Sequence, residues 1–297
     1  MRPQRRPSPE PSEKQVNGFI LTLSCLDRPG IVAEVTGRIA RFGGNILEAA
    51  QFDDVDTGNF FMRIRFEMRE RAEAFREDFA VHAAGQALRW MLRPAEELRR
   101  VLILVSKFDH CLGDMLYRRR IGDLPMDVVG VVCNHPREAL NVTTLDGIPF
   151  HHLPVSKDNK VAQEAQIKQI VEDSRAELVV LARYMQILSD DLAGFLSGRC
   201  INIHHSFLPG FKGAKPYHQA HARGVKMIGA TAHYVTADLD EGPIIHQDVE
   251  AISHADTPED LVRKGRNIES RVLMRAVSLH LEDRAFVNGA KTVIFAK

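Results

Sequence analysis

The chain has 297 residues, 44% of them hydrophobic, and its 39 lysines and arginines equal its 39 aspartates and glutamates. This length allows two packed domains, and the balanced charge gives no indication of a nucleic-acid partner. No stretch approaches the roughly 18 apolar residues of a membrane span, so we expect no membrane association. The four cysteines are scattered without a CxxC pair, which argues against a disulfide framework or a zinc site and favours a cytoplasmic location.

The first residues differ in composition from the rest of the chain. Residues 1–15 hold four prolines and no apolar core, so we predict a disordered tail there. A secretory signal peptide would need an apolar stretch, which is missing. The arginines leave a mitochondrial presequence open, although the prolines and glutamates argue against an amphipathic helix.

Residues 16–95 predict a first domain with the element order βαββαβ, which is a ferredoxin-like split unit. The predicted strands cover 19–25, 46–52, 59–68 and a short stretch around 88–92, and the predicted helices cover 31–42 and 70–86. The third of these stretches alternates between an apolar set and a largely charged set, namely Phe60, Met62, Ile64 and Phe66 against Phe61, Arg63, Arg65 and Glu67. We therefore predict a strand with one buried face.

The "DRPG" turn and the "GGNI" return in this domain resemble an ACT domain, a small regulatory module that binds amino acids. The resemblance implies a ligand site where the first strand meets the first helix, whose N-terminus is available to a carboxylate. Asp27, Gly30 and Asn45 are the matching effector-binding positions. A purely structural role of these residues stays open, because Asp27 suits a turn, Gly30 a special backbone geometry and Asn45 a strand start.

Residues 96–297 predict a second domain of the α/β class. Continuous apolar runs typical of strands buried on both faces occur at 100–107, 127–134, 177–182 and 200–204, and helical stretches lie between them at 111–121, 137–141 in part and 160–173. This alternation favours a mostly parallel, Rossmann-like sheet, in which ligands bind beyond the C-terminal strand ends. We therefore expect "SKFDH" and "INIHH" to share one crevice.

The last third of the chain predicts a hairpin and a long helix. Residues 227–235 and 242–252 form the two strands around "TADLDEG". Thr257 precedes Pro258 and Asp260 in the pattern of a capping box, so we predict that a helix starts there and runs to about residue 282.

Three residues carry the chemistry that we expect. Asn202 and His204 are two apart on a strand and point to the same side, and Asp240 lies in the turn before Gly242. An amide can hold a developing oxyanion, an imidazole can move a proton, and a carboxylate can position a water or the imidazole. The spacing alone does not exclude a purely structural role for His204 at the end of its strand.

The pair of motifs "INIHHSFLPGFKG" and "GATAHYVTADLDEGPII" is similar to the folate-dependent formyltransferase fold, and the resemblance covers nearly all of residues 100–280. It implies that Asn202, His204 and Asp240 are catalytic. "LARYMQILS" resembles the segment that lines the folate pocket in that family, where the backbone hydrogen-bonds the pterin. The matching substrate-binding positions are Arg183, Met185, Gln186, Ile187 and Leu188.

The loop "SKFDHCLGDML" lacks the glycine-rich phosphate cradle of the transferases that act on phosphorylated amines, and Asp109 would repel a phosphate. Together with the ACT-like domain, "HCLGD" and "HHSFLPGFKGAKPYHQA", this resembles the formyltetrahydrofolate deformylase family. The resemblance implies hydrolysis of 10-formyltetrahydrofolate by water to formate and tetrahydrofolate, with folate as the substrate and no further cofactor. It adds His110 and Gly213 as substrate-binding positions, methionine and glycine as effectors, and a homodimer or homotetramer.

In the expected mechanism, Asn202 and His204 stabilise the oxyanion and Asp240 orients or deprotonates the attacking water. Which of His204 and Asp240 is the base stays open. Residues 206–220 are expected to form a mobile rim, and His205 either supports the site from behind or packs against its surroundings. Lys212 is either solvated or in contact with the glutamate tail of the substrate. The remaining histidines show no spacing typical of metal ligands, so we expect no metal.

Two other functions are considered. A methionyl-tRNA formyltransferase would be expected to carry an RNA-binding domain and a basic surface, neither of which is indicated here. A non-catalytic amino-acid sensor would use the ACT-like domain alone, and the intact set of Asn202, His204 and Asp240 argues against it.

Overall fold

The computed structural model describes residues 17–69, 71–142, 145, 147–210 and 216–296. Contacts between Cα atoms divide the chain between Glu97 and Leu98 into two compact units, near the domain boundary predicted at residue 95. The predicted tail over residues 1–15 lies outside the described residues. None of the described helices is long and apolar enough to cross a membrane.

The N-terminal unit has the predicted order βαββαβ. Its elements are β1 (Asn17–Leu26), α1 (Ile31–Arg41), β2 (Asn45–Asp54), β3 (Asn59–Met68), α2 (Ala72–Gly85) and β4 (Arg89–Pro94). The strands form one antiparallel sheet in the order β2-β3-β1-β4, which confirms the predicted ferredoxin-like unit. Gly30 precedes α1 with a φ of 93°, a left-handed conformation that glycine adopts without steric cost.

The exposure of β3 differs from the prediction of one buried face. Phe61 and Arg63 belong to the face predicted to be exposed, yet they are only 3% and 2% accessible. β3 is an interior strand between β2 and β1, and Arg63 Nη1 donates to Glu48 Oε2 at 3.1 Å. An arginine can be buried when its charge is paired, so the charge pattern alone predicted the wrong exposure.

The C-terminal unit holds one large sheet with helices packed against it. The large sheet consists of β5 (Arg100–Val105), β6 (Asp127–Cys133), β7 (Phe150–His152), β8 (Leu178–Leu181), β9 (Cys200–His204), β10 (Met227–Tyr234) and β11 (Ile244–Ala251). The strands β12 (Ala285–Asn288) and β13 (Lys291–Ile294) pair with each other in a separate two-stranded sheet. Its helices are α3 (His110–Ile121), α4 (Lys160–Asp173), α5 (Asp190–Phe195), α6 (Pro216–Arg223) and α7 (Pro258–Leu281). A 3-10 turn at Arg137–Ala139 matches the partial helix predicted there.

The large sheet has the order β11-β10-β9-β8-β5-β6-β7. The pairs from β9 to β7 are parallel, and β10 is antiparallel to both β9 and β11. The predicted mostly parallel sheet is therefore confirmed. Since β5, β8 and β9 run in the same direction, their carboxyl ends meet at one edge.

Part of the predicted mobile rim is helical. α6 begins at Pro216, and its Tyr217 and Ala220 are buried at a spacing of three residues, which fits one helix face. Before it, Leu208 N–H donates to Thr231 Oγ1 at 3.0 Å, and this hydroxyl donates to the Ser206 carbonyl at 2.9 Å. These bonds tie the start of the segment to β10. The composition rich in glycine and proline gave no sign of either feature.

The capping of α7 follows the prediction. The Thr257 side chain accepts the Asp260 N–H, and the Asp260 carboxylate accepts the Thr257 N–H at 3.1 Å. This capping box fixes the start of a helix that packs along β10 and β11.

Candidate active site

A cavity of about 740 Å³ opens in the C-terminal unit at the carboxyl ends of β5, β8 and β9. The cavity is lined by the segments that follow β5 and β8 and by the last residues of β9. The contributions are Phe108 and His110 after β5, residues 183–188 after β8, and Asn202 to His205 at the end of β9. The predicted common crevice of "SKFDH" and "INIHH" is therefore present.

The three residues predicted to be catalytic line this cavity together. His204 Nδ1 lies 3.2 Å from Asp240 Oδ1. Asn202 lies opposite His233 in the antiparallel pairing of β9 with β10, and its Nδ2 is 3.3 Å from His233 Nε2. His233 Nε2 is in turn 3.7 Å from Asp240 Oδ1. An amide, two imidazoles and a carboxylate thus form one connected group.

Asp240 is presented by a tight turn between β10 and β11. Its φ of 58° is left-handed, which aspartate tolerates better than most residues. The turn closes on Gly242, where a Cβ would lie 1.7 Å from the Tyr234 carbonyl oxygen. Burial alone would raise the pKa of Asp240, but the hydrogen bond with His204 is the largest opposing cause, and the pKa lies well below its usual range. Asp240 is therefore an ionised hydrogen-bond acceptor.

His204 has one occupied and one open ring nitrogen. Its side chain is 7% exposed, and its Nε2 is buried with no hydrogen-bond partner among the residues that the structure describes. Because the Asp240 carboxylate can only accept, a proton on Nδ1 is the arrangement that suits the pair. A neutral His204 then has its lone pair on Nε2, which is the nitrogen left for a molecule in the cavity.

His233 also belongs to the site, although it was among the histidines whose spacing indicated no function. Its Nδ1 is 2.9 Å from the Tyr234 carbonyl, which can only accept, so Nδ1 carries a proton. Nε2 of the neutral ring then accepts the Asn202 amide proton and orients that amide. The place of His233 in the site follows from the register of β9 against β10, which pairs His233 with Asn202. The spacing of residues along one strand does not reveal this register.

The segment predicted to contact the pterin follows β8 directly. Ser106 Oγ accepts the Met185 N–H at 2.9 Å and donates to Asn134 Oδ1 at 2.7 Å. Glu164 accepts the Ser189 N–H at 2.9 Å, so both ends of the segment are tied to its surroundings. Met185 and Ile187 both line the cavity and are 50% and 60% exposed. The five positions predicted to bind folate, Arg183, Met185, Gln186, Ile187 and Leu188, all line that cavity.

A buried carboxylate, which no sequence motif indicated, forms a second polar group in the cavity wall. Glu269 on α7 is 1% exposed and lies 2.8 Å from His110 Nε2, 2.6 Å from Tyr217 Oη and 3.3 Å from Arg183 Nε. Burial alone would raise the pKa of Glu269, but the hydrogen bond with His110 and the charge of Arg183 outweigh it and lower the pKa. His110, predicted to bind substrate, is thus held by Glu269.

His110, Cys111 and Glu269 also offer three ligand atoms that lie within 4.8 Å of one another. The guanidinium of Arg183 already neutralises Glu269 there. Burial raises the pKa of the Cys111 thiol far above its usual range, so it does not readily form the thiolate that binds a metal. These residues therefore suit a metal poorly.

The other predicted positions either do not line the cavity or lie outside the described residues, and Asp109 is buried between the lining residues Phe108 and His110 in the sequence. Asp109, predicted to repel a phosphate, accepts the Val142 N–H at 2.7 Å and an Asn141 amide proton at 3.2 Å. Gly213 and Lys212 lie outside the described residues.

The predicted effector positions lie around the start of α1 and β2. Asp27 is exposed, and its N–H donates to the Gly58 carbonyl at 2.8 Å. Gly30 is the residue before α1, and Asn45 is the exposed first residue of β2.

Comparison with known proteins gives a family for each unit. Residues 99–277 match the family model described as formyl transferase, and residues 19–80 match the model of the ACT domain. The formyltetrahydrofolate deformylase of Corynebacterium sp. (strain P-1) is 50% identical over 278 residues, which are 93% of this chain and 97% of the relative. That of Bacillus subtilis (strain 168) is 45% identical over 279 residues, which are 93% of each chain.

Solved structures agree with these relatives. The crystal structure of formyltetrahydrofolate deformylase from Burkholderia mallei has a TM-score of 0.91 at 50% identity and covers 94% of this chain and 100% of its own. Glycinamide ribonucleotide transformylase 1 from Symbiobacterium toebii has a TM-score of 0.60 at 30% identity and covers only 67% of this chain, with 95% of its own. Because the similarity to the deformylases extends over both units, the chain belongs to the formyltetrahydrofolate deformylase family.

Proposed function

We propose that the site of Asn202, His204 and Asp240 hydrolyses 10-formyltetrahydrofolate to formate and tetrahydrofolate. The observation that carries the proposal is the contact of 3.2 Å between His204 and Asp240, which leaves Nε2 of this cavity-lining histidine without a partner among the described residues. A carboxylate-bound imidazole beside an amide is a suitable arrangement for adding water to a carbonyl group.

The substrate is placed by the two walls of the cavity. The pterin lies against residues 183–188, whose backbone is held by Ser106 and Glu164. The formyl carbon lies beside Asn202 and His204. No metal is required by this arrangement, and folate is the substrate rather than a resident cofactor.

His204 rather than Asp240 takes the proton from the water. The low pKa of Asp240 makes it a weak proton acceptor, so its carboxylate instead fixes the His204 ring with the Nε2 lone pair facing the water. The water oxygen bonds to the formyl carbon, and the carbonyl oxygen becomes an anion. When the bond from carbon to N10 breaks, the anionic oxygen re-forms the carbonyl group and the proton on His204 passes to N10. Tetrahydrofolate and formic acid then leave, and the acid releases its remaining proton to solvent as formate.

Asn202 stabilises the anion. One N–H of its amide donates to His233, and the other is free to donate to the carbonyl oxygen as the negative charge develops. One such donor is typically worth about 3 kcal/mol, so Asn202→Ala should lower kcat by about 10²–10³. The measurement is the rate of formate release by purified protein, and a near-normal rate would remove Asn202 from the mechanism.

The experiment that tests the function is incubation with 10-formyltetrahydrofolate in the absence of any amine. We expect formate and tetrahydrofolate to appear in equal amounts. Turnover that needs an added amine would instead indicate a formyl transferase. An absence of turnover under both conditions would favour a non-catalytic amino-acid sensor.

For the N-terminal unit we propose amino-acid control, with methionine as activator and glycine as inhibitor at Asp27, Gly30 and Asn45. The match to the ACT domain family supports binding of an amino acid of this kind. Calorimetric titration with both amino acids is the test, and no heat from either would contradict it. A homodimer or homotetramer in the cytoplasm remains our prediction, and light scattering would measure the mass of the assembly.

A further inference from the structure

We propose that His205 is a positioning residue that holds the His204 ring by stacking, and that Tyr217 and Glu269 hold His205 in place. The kinetic part of this proposal rests on the proposed hydrolysis, whereas the structural part does not. Three observations carry it: a ring stack, an anchored aromatic support and the charge state of His205.

The first observation is the stack of two neighbouring imidazoles. Successive residues of a strand point to opposite faces, yet the ring centroids of His204 and His205 are 5.1 Å apart with only 20° between their planes. β9 ends at His204, so the backbone leaves the strand at His205, and its side chain can turn back onto the His204 ring. Asp240 holds one edge of the His204 ring, and His205 covers one of its faces.

The second observation is the support behind His205. Its ring lies at 6.4 Å and 56° to the ring of Tyr217, which is 8% exposed. Tyr217 Oη donates to the buried Glu269 at 2.6 Å. A Cβ on Gly265 would lie 2.1 Å from Tyr217 Cζ, so the tyrosine ring rests directly on the backbone of α7. The support of His205 is thus fixed from two sides.

The third observation is charge. Burial, together with the charges of Arg183 and His204, lowers the pKa of His205 to about 4, while Glu269 and Asp240 act in the opposite direction. His205 is therefore uncharged near neutral pH. A neutral aromatic ring does not repel His204 when that ring gains a proton during the reaction, and its π face favours the cation.

The test uses three variants and one control. His205→Ala removes the stack, His205→Phe keeps a flat aromatic ring without ring nitrogens, and Tyr217→Phe keeps the support ring but loses its bond to Glu269. His221→Ala is the control, because His221 is an exposed histidine of α6. Circular dichroism and thermal unfolding establish that each variant is folded.

In the kinetic measurement, misplacing His204 should lower kcat about 10- to 100-fold in His205→Ala with KM nearly unchanged. His205→Phe should stay within about threefold of the wild type, Tyr217→Phe should lie between the two, and His221→Ala should match the wild type. A wild-type kcat in His205→Ala would overturn the proposal. So would a His205→Phe variant as slow as His205→Ala, because the ring nitrogens and not the stack would then matter.

A second measurement needs no substrate. The nitrogen resonances of the His204 ring, followed by NMR as the pH is changed, should titrate at a different midpoint in His205→Ala and at the wild-type midpoint in His205→Phe. An unchanged midpoint in His205→Ala would overturn the stacking role even if activity fell. If the wild type released no formate, the proposed function would fail, while this titration would still decide the role of His205.

Discussion

At the scale of single residues, the site depends on a carboxylate placed between two imidazoles. Asp240 Oδ1 lies 3.2 Å from His204 Nδ1 and 3.7 Å from His233 Nε2. The shorter contact is to His204, whose second nitrogen is buried without a hydrogen-bond partner among the described residues and whose side chain lines the cavity. In the proposed mechanism Asp240 therefore acts through His204, by selecting which nitrogen of that ring carries the proton.

Asp240→Asn tests this role at nearly constant shape. The amide can present its own N–H to His204 Nδ1, which favours the tautomer with the proton on Nε2 and removes the lone pair that accepts the water proton. We expect kcat for formate release to fall by about 10³–10⁴, as a wrong tautomer does in other hydrolases. Asp173→Asn, at the exposed end of α4, should be unaffected. A loss below about tenfold in Asp240→Asn would show that His204 works without its carboxylate.

Residue spacing predicted only part of this group. Asn202 and His204 are two apart on one strand, so their common side follows from strand geometry. His233 joins them because β10 pairs with β9 in one particular register. Glu269 reaches His110 from a helix far along the chain, and neither residue has a local pattern that distinguishes it from a solvated one. Register and helix docking are tertiary properties, which periodicity does not contain.

At the scale of elements, the cavity walls are segments held by buried polar groups. Glu164 on α4 is 6% exposed and accepts both the N–H and the hydroxyl of Ser189, which ends the proposed pterin segment. Gln163 donates to Tyr184 Oη at 2.8 Å within the same segment. α4 thus holds the wall that we propose contacts the pterin, and we assign it no part in the chemical step.

Glu164→Ala should therefore weaken binding and leave the chemical step intact. Loss of hydrogen bonds to a buried charged group typically costs about 1.5–3 kcal/mol, and if about half of this appears in binding, KM should rise about 4- to 13-fold with kcat nearly constant. Steady-state kinetics with 10-formyltetrahydrofolate measures both constants. Glu172→Ala is the matched control on an exposed face of α4. A fall in kcat at constant KM would place Glu164 in the chemistry instead.

The turn that carries Asp240 depends on Gly242. A Cβ there would lie 1.7 Å from the Tyr234 carbonyl oxygen, and a backbone atom cannot move aside as a flexible side chain can. Gly242→Ala should destabilise the protein by about 1–3 kcal/mol and lower kcat at least tenfold by displacing Asp240.

Thermal unfolding and formate release measure the two effects of Gly242→Ala. Gly194→Ala is the control, because Gly194 lies in α5 with nothing within 4 Å of an added Cβ, and alanine is the better helix former. Wild-type stability and activity in Gly242→Ala would contradict the close approach.

The elements themselves were largely predictable. Continuous apolar runs identified β5, β6, β8 and β9, and the capping pattern at Thr257 identified the start of α7. α6 was missed because Pro216 and the glycines before it favour a loop, whereas Tyr217 and Ala220 become helical by packing onto the core. Packing of this buried face stabilises α6, although the intrinsic helix propensity of its sequence did not indicate a helix.

At the scale of the whole molecule, buried ionisable groups make stability depend on pH. The pKa values of Asp240 and Glu269 are lowered by their partners, so the stability that these groups contribute is present above their unfolded pKa values. It is lost as the pH falls through their folded values. His205 acts over a different range, because burial keeps it uncharged in the folded state down to a pKa of about 4.

Between its ordinary pKa of 6.5 and its folded pKa of about 4, His205 is protonated only when the chain is unfolded. The unfolded state then binds more protons, so the free energy of unfolding falls as the pH is lowered through this range, by at most about 3 kcal/mol. Denaturant unfolding followed by circular dichroism at several pH values measures the slope. His205→Phe cannot titrate and should flatten the slope, whereas His221→Ala, which removes an exposed histidine, should leave it in place. An equal slope in His205→Phe would mean that His205 is charged in the folded protein, and the neutral ring that is proposed to stack on His204 would then not exist.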